Sequence, residues 1–301
     1  MDVQNNIVKN WQVHWGQFLQ KFDQVIVPSN STKEIIENVH THINCKVIEH
    51  GIDLERNTAL ERNEKDVFNV AFVGVMLPHK GSKVLEYFVK HCKNRNIKFH
   101  LFGIAHSDLL KKNHSNYEYH GVYKRNELPR LLKENKIHLV CNLSIWPETY
   151  SYTLTETIAC GVPVLSYNIG AVGERILKNG FGWILENKDM NYALKKISEI
   201  SKNLDEYNTR IRNINSYSIK STSEMCLEYK DMYKSSNEIN VSHESIENLC
   251  RLFVDNNQLG TLMKEQITDE LKLKLNSRRW RMVQNIRTPR IVRLARKVLT
   301  R

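Results

Sequence analysis

Glutamates at positions 148 and 156 frame TYSYTLT, a segment of hydroxyl-bearing and aromatic residues, and the apolar run that follows ends in Gly161 and Pro163. On a regular helix, residues eight apart are rotated by about 80° from each other, so these carboxylates would not form one tight pair. The spacing fits better if Glu148 lies in a loop after an apolar strand at 137–144 and Glu156 lies in the first turns of the next helix. Pro147 agrees, because it favours extended backbone at Trp146. Unpaired amides and the positive end of the dipole at that helix start make an anion site, to which Thr149, Ser151 and Thr153 can add hydroxyls. An acid beside such a site repels the anion unless it binds another part of the ligand, and carboxylates accept well from hydroxyls. Both acids are therefore expected to face one strand-end crevice, holding a ligand with a diphosphate in the middle and hydroxyl-rich groups at each end. A nucleotide sugar has that shape. The dipole by itself also favours acids in a first helical turn, which is the plain structural alternative.

Six apolar runs of strand length, at 68–74, 98–104, 117–123, 137–144, 162–167 and 182–186, alternate with helical patterns at 80–95, 126–136, 152–161 and 172–180. Asn126 is a candidate N-cap. That alternation predicts an α/β fold with a doubly wound parallel sheet, whose ligands sit at the carboxyl ends of the strands. Upstream, 22–30 and 46–53 read as two further strands around a helix, and the charged segment 54–66 reads as a linker. Downstream, 187–203 continues as helix, and helical patterns persist from 207 to 276.

Apolar residues make up 41% of the 301 residues and charged residues 26%, which fits a folded globular protein. The longest near-continuous apolar run, 68–77, is far shorter than a membrane span, and the N-terminus does not read as a secretion signal. The chain is expected to stay in the cytoplasm. Its six cysteines are dispersed without a C-x-x-C pair and read as buried thiols. The formal charge of +11 is concentrated in residues 278–301, where eight arginines and Lys297 stand without one acid. Apolar residues at 291, 294, 295 and 298 among these arginines suit a helix lying on an anionic membrane surface, or one docked on a partner chain. Nucleic acid is not expected, because no aromatic stacking platform accompanies the charge.

WPETYSYTLTETIACGVPVLSYNIGAVGERI, residues 146–176, resembles the C-terminal, donor-binding half of retaining GT-B glycosyltransferases of the group 1 (GT4) family, whose signature is two glutamates separated by seven residues. The resemblance extends to AFVGVMLPHKG (71–81), HLFG (100–103) and YHGVYKRNELPRLLKENKIHLV (119–140). It implies a Rossmann-like donor domain at 67–205, a remnant of an acceptor-side domain with linker at 1–66, and a helical extension with a basic tail at 206–301. Most of the acceptor-side domain is expected to lie elsewhere, on a longer chain or a partner.

The family pattern assigns Glu148 to the hydroxyls of the transferred sugar and Glu156 to the ribose, with Lys80 neutralising the departing diphosphate and Gly74 admitting the phosphates to the backbone. Ser151, Tyr152 and Thr153 join the donor-binding set, and no metal or other cofactor is implied. Glu174 matches a family acid near the donor sugar, Gly170 and Gly173 permit close backbone approach, and a plain helix-start acid is the alternative for Glu174. Two positions depart from the pattern: Val75 stands where many members have a second phosphate-binding arginine, and TYSYTLT replaces a glycine-rich segment. His79 is a candidate for phosphate contact, with a solvated loop histidine as the plain alternative, and Trp146 and Trp183 are candidates for the pocket, with core as the plain alternative for both. The implied activity is sugar transfer from a nucleotide-diphosphate sugar to a glycan or lipid-linked acceptor. The alternative is a non-catalytic donor-binding or assembly module docked through residues 277–301.

Overall fold

The computed structural model describes residues 2–57, 62–63 and 66–234. The basic tail and the helical patterns beyond 234 lie outside the described residues.

Six strands, β3 (Phe68–Met76), β4 (Ile97–Ala105), β5 (Tyr117–Gly121), β6 (Ile137–Asn142), β7 (Val164–Tyr167) and β8 (Gly182–Leu185), form one sheet in the order β5-β4-β3-β6-β7-β8. Every pairing is parallel. The chain starts in the centre, works outward to β5 and then returns to the other side of β3. This places a topological switch point between β3 and β6, where the crevice of a doubly wound sheet opens.

Alternating side chains feed two apolar layers. Phe68, Val70 and Phe72 of β3 pack on one face beneath α3 (Ser82–His91) and α7 (Met190–Ile200), whereas Ala71 and Val73 pack on the other beneath α4 (Leu128–Glu134), α5 (Tyr152–Ala159) and α6 (Gly170–Asn179). Phe68, Phe72, Phe88, Phe99 and Phe102 are fully buried, and each such side chain contributes roughly 1.5–3 kcal/mol of burial. Helix α8 (Leu204–Ser216) reaches both layers, through Tyr207 and Ile214.

Polar groups interrupt both layers, His138 against Phe68 in the first and His100 against Phe102 in the second. The β3–β6 register slips after Asn69, leaving His138 as the extra residue, and its Nδ1 accepts from the Asn69 amide at 3.1 Å. Burial pushes the His138 imidazole down to about 4 and that of His100 on β4 down to about 3, so both are neutral at physiological pH.

Ahead of the large sheet lie α1 (Asp2–Leu19), β1 (Val25–Val27), α2 (Asn30–Val39) and β2 (Cys45–Val47), and the two strands pair in parallel. Both strands are shorter than the sequence patterns suggest. Ser29 caps α2 through its side chain and ends the first. Beyond β2, the His50 carbonyl accepts from the Tyr150 hydroxyl and the Ile52 amide donates to Lys220, so this backbone is engaged outside the small sheet. Asn126 is not an N-cap. It lies within a 3-10 turn, Arg125–Glu127, where the Glu127 carboxylate reaches back to the Lys124 amide at 2.7 Å. Beyond the large sheet, α9 (Thr222–Lys234) is the last described helix.

The central strands meet most tightly at their ends, where Gly74 and Gly103 pair with φ of +104° and +137°. A Cβ on Gly103 would stand 1.9 Å from the Gly74 carbonyl oxygen, whereas one on Gly74 would meet nothing within 4 Å. Gly103→Ala is therefore expected to lower stability by more than the roughly 1–2 kcal/mol of left-handed strain expected for Gly74→Ala. Urea unfolding midpoints measure the difference, and equal midpoints would show that the two strand ends are not in contact.

Candidate active site

Two loops meet at the switch point. After β3, the chain passes through a 3-10 turn, Pro78–Lys80, into left-handed Gly81 and α3. The Ile145 amide donates to the His79 carbonyl at 2.9 Å, which fastens this lysine-bearing turn to the loop after β6. That second loop carries Glu148. Its carbonyl accepts from the Ala171 amide at 2.9 Å, and α6 approaches so closely that a Cβ on Gly170 would lie 2.8 Å from the Glu148 backbone. Gly170 thus supplies the close approach expected of it.

The loop ends at Ser151, a non-glycine residue at φ +74°, whose hydroxyl accepts from the Leu154 amide and from Asn142 Nδ2. Buried Arg175 holds this left-handed corner. Its guanidinium donates to the carbonyls of Tyr150 and Ser151 and to Thr155 Oγ1 at 2.9 Å, and lies 4.3 Å from the centre of the Tyr150 ring. The amides of Tyr152 and Thr153, first in α5, have no carbonyl of a preceding turn to bond.

A hollow of about 310 Å³ at the switch point is lined by Gly74, Val75, Lys80, Asn142, Glu148 and Thr153. Lys80 Nζ and Glu148 Oε1 form an ion pair there, the carboxylate side chain being only 15% exposed. A second hollow of about 450 Å³, lined by Asp53, Glu55, Arg125, Glu156 and Cys160, lies against the second half of α5. Here Arg125 Nε donates to Glu156 Oε1 at 2.5 Å, and its guanidinium lies 5.7 Å from the centre of the Tyr152 ring. Burial pushes the Glu156 carboxyl above the usual range, and Arg125 acts in the opposite direction. Burial, with Glu156 nearby, raises the Tyr123 phenol to about 12.

The structure therefore brings Lys80, Glu148, Gly74 and Thr153 together and gives Glu156 a separate hollow, instead of setting both acids in a single crevice. The separation follows from their places in the chain: Glu148 lies in the loop before α5, whereas Glu156 lies within the helix, on the stretch that meets the second hollow together with Ala159 and Cys160. Glu174 lines neither hollow. Its carboxylate accepts from Asn30 Nδ2 at 2.8 Å and from the amides of Asn30 and Ser31, so it caps α2. Trp183 is core, donating to Glu206 at 2.6 Å, whereas Trp146 is exposed beside His79.

Arg125 and Arg175 are absent from the sequence reading. Arg125 stands 31 positions before its carboxylate, and nothing in the segment GERI distinguishes a buried arginine from a solvated one.

The sequence profile of the family described as "Glycosyl transferases group 1" matches residues 54–216. An uncharacterized 41.2 kDa protein from the cps region of Klebsiella pneumoniae is 28% identical over 159 residues, covering 50% of this chain and 44% of that protein. An uncharacterized glycosyltransferase of Methanocaldococcus jannaschii is 26% identical over 212 residues, 68% of this chain and 57% of that protein. The chain thus spans about half the length of these relatives. Among solved structures, that of Anabaena HepE in complex with UDP and glucose superposes with a TM-score of 0.56 at 15% identity, over 71% of this chain and 63% of that one. At that identity the likeness speaks to the fold, a GT-B Rossmann-like domain.

Arg175→Met is expected to lower stability by about 2–3 kcal/mol, because three acceptors lose a charged donor. A chemical melt checks this, and an unchanged midpoint would show that the loop corner holds without the guanidinium. In Arg125→Met, the Glu156 carboxyl should titrate higher still, since its opposing cation is gone. A buried acid with a raised folded-state pKa contributes stability below its unfolded value and loses it as pH rises through the folded one, so the variant should widen that window. Carbon-13 titration of the Glu156 carboxyl reads the shift.

Proposed function

Because the chain belongs to the glycosyl transferases group 1 family, we propose that it transfers a sugar from a nucleotide-diphosphate sugar to a glycan or lipid-linked acceptor with retention at the anomeric carbon. The observation that carries this reading is the Lys80–Glu148 ion pair at the switch point, beside the strand-end glycine and the first-turn amides of α5.

A diphosphate reaching Lys80 competes for its ammonium and releases Glu148 to accept hydroxyls of the sugar. The bond between the anomeric carbon and the diphosphate breaks, and the oxygen of the acceptor hydroxyl takes its place with the same configuration while its proton passes to the departing diphosphate. Charge accumulating on the leaving diphosphate is met by Lys80 and by the amides of Tyr152 and Thr153, an electrostatic contribution that is strongest where water is excluded. This chemistry calls for no metal at the crevice. Gly74 has open space on its Cβ side, so phosphate oxygens can approach the backbone there.

In this reading the nucleoside lies against the second hollow. Glu156 Oε1 is engaged by Arg125, which leaves Oε2 as the acceptor for ribose hydroxyls, and the exposed Tyr152 ring borders the same space. The UDP complex of the similar Anabaena fold supports a uridine diphosphate as the first donor to try. The basic segment 277–301 would dock the protein on an anionic surface at the inner face of the membrane or on a partner chain, since each nearby cation adds about 1 kcal/mol there.

Calorimetry with uridine, guanosine and adenosine diphosphates, followed by turnover assays with the corresponding sugars, tests the assignment. Glu156→Ala should lose about 1.5–3 kcal/mol of nucleotide affinity, roughly ten- to a hundredfold, whereas Glu148→Ala should mainly lower turnover. Equal nucleotide affinity in the Glu156→Ala variant would remove the ribose assignment. Binding without cleavage or transfer, across candidate acceptors, would favour a donor-binding module over an enzyme.

A further inference from the structure

A polar cluster unrelated to the switch point lies on β4 and the edge strand β5. His100 and Glu118 are register partners, Leu101 still faces Tyr119, and the ladder then slips so that Phe102 faces Gly121. His120 is the extra residue of that bulge, and bulges at sheet edges often re-aim a side chain. Here the His120 ring lies flat against Phe102 at 4.2 Å and presents Nε2 to His100 Nδ1 at 3.0 Å. Glu118 Oε2 stands 3.9 Å from the same His100 nitrogen.

The tautomer of His100 follows from a second layer of contacts. Asn69 Nδ2 donates to the carbonyls of Asn135 and Lys136 at 3.1 and 3.2 Å, which fixes its amide and turns Oδ1 towards His100 Nε2, 3.2 Å away. His100 Nε2 must therefore carry the proton. The Nδ1 lone pair then points at His120 and Glu118 from a ring that is only 3% exposed. An imidazole oriented through its far N–H by an amide oxygen is the arrangement found behind metal-ligating histidines.

We propose that His100, His120 and Glu118 bind a divalent transition-metal ion of the zinc type, tying the edge strand to its neighbour. The three potential ligand atoms lie within 4.8 Å of one another. Two neutral imidazoles and a carboxylate suit zinc, with water as the fourth ligand reaching the ion from the solvent side of Glu118. Tetrahedral bonds of about 2.0–2.1 Å require ligand atoms about 3.3 Å apart, so the rings must part by a few tenths of an ångström and turn both lone pairs onto the ion, while the Glu118 carboxylate moves in from 3.9 Å. His120 must then carry its proton on Nδ1, whereas without metal its Nε2–H can donate to His100.

Lys98 opposes the ion. Its ammonium lies 2.7 Å from Glu118 Oε2 and must swing into solvent, which its 36% exposed side chain permits. Affinity is therefore limited by an internal competitor, and removing that competitor should tighten binding.

The test uses the full chain after treatment with a chelator, titrated with zinc against a chromophoric competitor and with cobalt(II) by visible absorption. One ion per chain is expected at this cluster, with an intense tetrahedral cobalt band. His120→Gln should abolish the band, Asn69→Ala should weaken binding roughly ten- to a hundredfold, and Lys98→Met should strengthen it. The Lys98→Met variant keeps the test decisive if the core substitution fails to fold. Zinc uptake that survives His120→Gln, or a cobalt spectrum without the tetrahedral band, would overturn the site and leave the His100–His120 contact as a plain hydrogen bond.

Discussion

The loop between β6 and α5 carries most of the polar chemistry at the switch point, and much of it is withdrawn from water. Ile145, Trp146 and Thr149 of this loop are exposed, but its inner part at Tyr150 is buried, and buried backbone oxygens are stable only where they find donors, because each unmatched polar group costs of the order of a hydrogen bond. Here α6 supplies those donors. The Ala171 amide takes the Glu148 carbonyl, and Arg175 takes those of Tyr150 and Ser151. Gly170 lets the helix come close enough for the first contact. The placement of Glu148, and of the first turn of α5, thus depends on a helix that follows them in sequence and is fixed by its own packing at Val172 and Ile176.

Charge at the site is distributed with the same economy. Each glutamate of the pair has its own cation, Lys80 for Glu148 and Arg125 for Glu156. The two pairs differ in exposure, since the Arg125 side chain is 54% exposed and that of Lys80 37%. Burial raises the Glu156 carboxyl above its ordinary range and Arg125 offsets part of that rise, a balance that a ligand can tip. Neither pair needs to contribute much to stability, because a half-exposed cation gains little net energy from a single carboxylate. Their effect is to fix two carboxylates at defined places.

The small N-terminal sheet is joined to this machinery by side chains more than by strands. Glu174 caps α2, Tyr150 reaches the His50 carbonyl, and the Asn57 amide donates to Ala159. Of this N-terminal part, Asp53, Leu54 and Glu55 line the second hollow.

The alternation of strands and helices from β3 to α7, the strand-end glycine and the position of Glu148 in a loop before α5 were legible in the sequence, whereas α1, the left-handed backbone of Gly74 and the turn at Lys80 were not. The legible features depend on local periodicity, on glycine and proline, and on spacing within a few residues. What only the tertiary structure decided were the partners. Arg125 meets Glu156 across 31 positions, Glu174 meets α2 across 143 or more, and Asn69 orients His100 across 31. A charged residue in a helix start reads the same whether it faces a ligand, a helix end or water, and its role is set by which distant backbone the packed layers bring within hydrogen-bond reach.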